Sequence, residues 1–178
     1  MSNESHIAEL LAEVTAAFDG VALEDGTTLH EAIAFDNGES PEAQIAARRQ
    51  DTERRWQEVP ATAILASCAV PSFLDAKGFR YYLPSFIVYG LSNWDTLTTS
   101  ILDTCEYCLL HESGKSLRQS EPASIAAKYD FTEAQCRAVA HFLRFHVGED
   151  DEFTSQLRPT LDAVAKWEYF VGDRVSLT

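Results

Sequence analysis

The sequence predicts a mainly α-helical fold, a single globular domain of about seven helices over residues 1–178. Three observations predict it. Apolar residues recur at three- and four-residue spacing through most of the chain, the period of a helix with one buried face. Helix-start signals precede several of these runs: Thr28-x-x-Glu31 and Thr132-x-x-Gln135 are capping boxes, and Ser40-Pro41 places an N-cap serine before a proline at the first helical position. No internal repeat or low-complexity linker divides the chain, and this length can bury a sizeable core without staples.

The elements follow in order. Ile7, Leu10, Leu11, Val14 and Phe18 share a face, so residues 4–18 read as an amphipathic helix ended by Asp19-Gly20. The first capping box starts a short helix with Leu29, Ile33 and Phe35 inward. Asn37-Gly38 turns the chain. A helix from Ser40-Pro41 then runs to about Gln57, with sparse apolar positions and four arginines. Pro60 opens a further helix, Ala61 to Cys68. Phe73 to Leu91, FLDAKGFRYYLPSFIVYGL, is the most apolar and aromatic stretch and marks the core. Within it, Asp75 to Gly78 reads as a tight turn, with Gly78 supplying a positive φ. Residues 79–83 read as a short extended segment or strand pair, and a buried helix begins at Pro84. Asn93 or Asp95 caps the next helix, with Leu97, Ile101, Leu102, Cys105, Cys108 and Leu109 inside. Residues 111–123 form the longest loop. The second capping box leads a helix carrying Cys136, Val139, Phe142, Leu143 and Val147, which Gly148 stops. The acidic run Glu149 to Glu152 stands at the start of a last helix, where the dipole favours negative charge. That helix holds Leu157, Leu161, Val164, Trp167 and Phe170, with Pro159 at its start or at a kink.

The formal charge is −14 and unevenly spread. Residues 1–47 hold ten acids and no lysine or arginine, whereas residues 59–120 hold five acids and four bases. Such a surface repels phosphate backbones and anionic lipid, which disfavours nucleic acid and membrane partners. It attracts a basic protein and speeds encounter with it, although acidity also serves solubility. The first ten residues, MSNESHIAEL, carry no early base and no continuous apolar stretch, so they do not read as a secretory signal. The expectation is a cytoplasmic protein with Cys68, Cys105, Cys108 and Cys136 reduced.

The block Phe73-Leu74-Asp75, then Gly78-Phe79-Arg80-Tyr81-Tyr82-Leu83-Pro84, resembles the centre of an uncharacterised bacterial family of small proteins, F-L-D-x-x-G-F-R-[FY]-Y-L-P. Arg48, Asp51, Trp56 and Pro60 upstream, and the stretch from Phe131 to Leu143, are similar to its flanks. The resemblance spans most of the chain and implies a shared fold. It implies no activity and no catalytic residues.

Chemistry is sparse. Cys105-x-x-Cys108 with His111 lies inside a helical pattern, and no second cysteine pair follows, so packing explains the thiols better than zinc. His141 and His146 are five apart and share no face. Nucleophile and phosphate motifs are missing. No cofactor, metal or catalytic residue is expected. Arg48, Asp51 and Arg55 would share one helical face, as a salt-bridge cluster or an anion site. Arg80 is expected to pair with Asp75 across the turn. If it instead enters a cleft lined by Tyr81, Tyr82 and Tyr89, the site suits a small acidic ligand or a peptide end. The function expected is therefore a non-enzymatic acidic domain that holds a basic partner, in the manner of immunity or antitoxin proteins. The alternative is a small-ligand sensor or enzyme around Arg80, Tyr82, Tyr81, Arg48 and Asp75. A third reading is a structural helical oligomer; the sequence does not set the oligomeric state.

Overall fold

The computed structural model describes residues 3–66, 69–94, 100–148 and 154–172. Among these residues the fold is all-α, with nine α-helices, four short 3-10 turns and no strand. The chain divides into two compact units, Met1–Cys105 and Glu106–Thr178.

The first unit holds α1 (Asn3–Ala17), α2 (Leu29–Asp36), α3 (Pro41–Ala47), α4 (Ala61–Ala66), α5 (Ala76–Ser92) and the start of α6 (Ser100–Leu110). α5 is its centre: eleven of its 17 residues are buried, among them Phe79, Tyr81, Tyr82, Leu83, Phe86 and Ile87. A helix apolar nearly all round belongs inside a core. α1 packs on it and buries Leu10 and Val14, with Phe18 just beyond. Trp56 sits in a 3-10 turn (Trp56–Glu58) and fastens two elements. Its indole N–H donates to the Phe18 carbonyl at 2.9 Å, and its own carbonyl accepts from Ser85 Oγ at 2.9 Å.

The extended segment expected at 79–83, and the helix start expected at Pro84, give way to one helix beginning at Ala76. The cause lies at Asp75. Its carboxylate accepts the Gly78 N–H at 2.7 Å, so the Asp75–Gly78 signal is an N-cap and first helical turn instead of a β-turn. Gly78 does not have a positive φ. It is glycine because a Cβ there would lie 2.4 Å from the Thr27 carbonyl oxygen. Pro84 lies inside the helix and contributes no N–H to the ladder; burial on both sides of it overrides the local rule.

The helix expected from Pro41 to Gln57 ends at Ala47 and passes through a 3-10 turn (Arg48–Gln50) into irregular chain. α3 buries none of its residues, so little apolar packing holds the segment helical, while Asp51 is drawn to the start of α2. Phe35, expected inside, is 57% exposed and touches Phe73, ring centres 6.2 Å apart.

The second unit holds the end of α6, α7 (Pro122–Tyr129), α8 (Glu133–Val147) and α9 (Thr154–Val171). α7 falls partly in the expected loop at 111–123. Its proline stands at the first helical position, and left-handed Asp130 (φ +53°) ends it. Thr132 caps α8, with its hydroxyl accepting from the Gln135 N–H at 3.3 Å. Gly148 at φ +70° stops it, as expected. α8 and α9 pack together around Phe142, Leu143, Val164 and Trp167. The Trp167 indole N–H donates to the Leu109 carbonyl at 3.1 Å, pinning α9 to the end of α6. Pro159 lies within α9. Cys68, Asp95, Leu97, the run Glu149 to Glu152 and the side chain of Leu157 lie outside the described residues.

Candidate functional site

The sequence-predicted side chains lie in the first unit, where the fold uses them. Arg48 Nη1 donates to the Gly26 carbonyl at 2.8 Å and to Glu31 Oε2 at 2.7 Å. It thereby ties the turn before α2 to the 3-10 turn after α3. Asp51 accepts the His30 backbone N–H at 2.9 Å and meets His30 Nδ1 at 2.6 Å, with its carboxylate 3% exposed. Arg55 pairs with Glu58 at 2.9 Å. The expected Arg48–Asp51–Arg55 face therefore does not form, because the helix that would carry it ends first.

Tyr81 and Tyr82 are fully buried and meet edge to face at 4.8 Å. The Tyr82 hydroxyl donates to Glu53 Oε1 at 2.7 Å. Burial first, then the hydrogen bond to Glu53 and its charge, push the Tyr82 phenol well above its ordinary range. Burial, then Glu53 and Glu58, raise Tyr81 likewise. Arg80 Nη2 lies 3.5 Å from Glu24 Oε1. Asp75 accepts two backbone N–H groups, from Gly78 and from Thr27 at 3.0 Å. The expected Arg80–Asp75 pair is replaced by these contacts, and Tyr81 and Tyr82 have no surface to offer a ligand. Tyr89 does line an opening, but a different one, with Trp56 and Ser85.

Sequence reasoning missed the His30–Asp51 pair. His30 follows the capping box, and nothing in linear spacing joins it to a carboxylate 21 residues on. The pair orients an imidazole. The backbone N–H and the Nδ1 of His30 engage the two oxygens of the Asp51 carboxylate. Cys105, Cys108 and Cys136 are buried thiols, and burial raises the Cys136 pKa above its ordinary value. Among the described residues no group of three or more His, Cys, Asp or Glu side chains could hold a metal.

The second unit offers an open surface of a different kind. Two grooves, about 420 and 560 Å³, share Ala123 and Phe170 in their walls. Alanines at 123, 126 and 127 on α7, and Ala165 on α9, leave the room. Phe170 is 43% exposed and rests edge-on against buried Trp167, 6.0 Å between centres. Tyr169 beside it is 73% exposed. Four carboxylates line the pair of grooves, Glu121, Asp130, Glu133 and Asp162, against one ammonium, Lys166. Lys166 is already bound, donating to Glu121 Oε1 at 2.9 Å and to the carbonyls of Arg118 and Ser120 at 2.9 and 3.0 Å. An aromatic ridge between acidic rims can hold apolar side chains while its edges meet cations.

No curated protein matches this sequence. No solved structure matches it either. A family model described as a family of unknown function, DUF6714, matches residues 6–169 across both units, and the chain belongs to that family.

Proposed function

We propose that this protein is a non-enzymatic binding domain whose partner is a protein presenting a basic, amphipathic segment. The observation that carries the reading is the pair of grooves on either side of Phe170, with small-residue floors and four carboxylates at the rim, of which Glu121 is paired with Lys166 and Glu133 with Arg137. Exposed aromatics beside clefts are the usual anchors of protein interfaces. The net charge of −14 adds long-range attraction for a basic surface, as an acidic immunity or antitoxin protein would need. Among the described residues no helix is long and apolar enough to cross a membrane.

The test is affinity capture from the native cell extract with the full chain and with Tyr169→Asp/Phe170→Asp, at about 20 mM and about 300 mM salt. A basic protein held by the parent at low salt, and lost both with the variant and at high salt, supports the proposal. Capture that ignores the variant, or partners that are mainly acidic, overturns it.

A further inference from the structure

The larger groove of the second unit follows a helix, and its two ends differ in chemistry. Five of its lining residues stand on α9: Asp162, Ala165, Lys166, Tyr169 and Phe170. Offsets of three, four, seven and eight place them in one stripe along the helix axis. Exposed Ala165 keeps the middle of that stripe low, and exposed Ala123 of α7 faces the same groove. Lys166 is folded back onto Glu121 and the Arg118 and Ser120 carbonyls. At one end of the stripe stands the half-exposed Phe170 ring. At the other stands exposed Asp162, eight residues earlier, about 12 Å away at 1.5 Å per residue.

Resting on the partner-binding reading, we infer that the partner's basic segment binds as an α-helix laid along α9, with an apolar side chain beside Phe170 and a lysine or arginine two turns away at Asp162. Charge selects the occupant: a second copy of this chain would bring another −14 and be repelled. Conformation follows from what the groove offers. An extended segment draws its affinity from main-chain bonds to a strand edge, and among the described residues there is no strand. A helix satisfies its own main chain and needs only a groove for one apolar face. Small floor residues let two helix axes approach to about 8–10 Å, and Ala165 and Ala123 supply them. Two helices side by side share the same rise, so a base seven or eight residues from the anchor comes level with Asp162. In an extended segment the same offset would span about 26 Å and overshoot it.

The experiment is fluorescence anisotropy of labelled peptides with the full chain at about 100 mM salt, where charges more than about 10 Å apart are screened. Three peptides of about 14 residues, four helical turns, serve as probes. The first is made of leucine and lysine, with the leucines at three- and four-residue spacing. The second has the same composition with the two residues alternating, the period of a strand. The third is the first with glutamate in place of lysine. The first is expected to bind about tenfold more tightly than the second, and the third not to bind. Asp162→Lys should weaken the first peptide about fivefold, while Glu9→Lys, the same charge change on exposed α1, should alter it less than about twofold. Ala165→Trp fills the floor from an exposed position and should weaken it about tenfold; Ala123→Trp does the same from α7 if the first variant does not fold. Equal or tighter binding of the alternating peptide, still weakened by the Asp162 and Ala165 variants, overturns the helix and leaves the basic-segment reading standing. Binding of the glutamate peptide, binding that ignores the filling variants, or Glu9→Lys acting as strongly as Asp162→Lys removes the groove and that reading with it. Binding by none of the peptides overturns the helix alone, and affinity capture then decides the reading.

Discussion

Tyr82 illustrates how a polar side chain suggestive of a site can serve the core. Its ring is fully buried and its hydroxyl has found Glu53, so removing the oxygen strands a half-buried carboxylate. Tyr82→Phe is expected to cost about 1–2 kcal/mol, measured by urea denaturation. Glu112 plays a similar part in the second unit. It accepts from Lys115 Nζ at 2.6 Å and from the Glu121 N–H at 2.7 Å, and these bonds, Lys115 first, hold its pKa below the ordinary 4.5. A depressed carboxylate contributes stability that is present above its unfolded pKa and is lost as pH falls through the folded value. Glu112→Gln should therefore lower the melting temperature at pH 7, and the difference from the parent should vanish once the pH is well below 4.5. Thermal melts across that window check it. Neither pairing was legible in the sequence. Tyr82 and Glu53 are 29 residues apart, and one acid among 28 gives no sign of which amide or phenol it will meet.

The helices were legible where periodicity and caps agreed. α1 and α8 follow their apolar spacing closely, and α2 and α8 begin at their capping boxes. The departures cluster where a distant backbone intervenes. The turn before α2 runs against the first turn of α5: a Cβ on Gly26 would lie 2.6 Å from the Gly78 nitrogen, and one on Gly78 2.4 Å from the Thr27 oxygen. Backbone cannot step aside as a flexible side chain can. Gly78→Ala is expected to cost about 3 kcal/mol or more. Gly38→Ala, with open space and φ +69°, should cost about 1 kcal/mol from backbone strain alone. Comparing the two denaturation midpoints tests whether close approach, rather than loss of a glycine, sets the penalty. α3 shows the converse failure. Its start signal was real, but a helix that buries nothing stops when a better contact, Asp51 to His30, draws the chain away.

For the molecule as a whole, charge is the property with the longest reach. At −14 the chain should bind a basic partner more weakly as salt rises, by tenfold or more, about the range expected when screening shortens the reach of surface charges. Affinity measured across a salt series checks this. Phe170→Asp should leave stability within about 1 kcal/mol, since the ring is 43% exposed, while removing partner capture. A variant that melts early would make the ring part of the core instead.

Helical class, the apolar centre at Phe73 to Leu91 and the excess of acid were written in residue order, because each depends on spacing or composition. Which polar groups would meet depended on chain folding. Arg48, Arg80 and Asp75 went to Glu31, Glu24 and two backbone amides, and the openings formed elsewhere, at Trp56 and Phe170. A hydrogen bond needs a partner within about 3 Å. Between residues far apart in the chain, packing sets that distance and linear order does not.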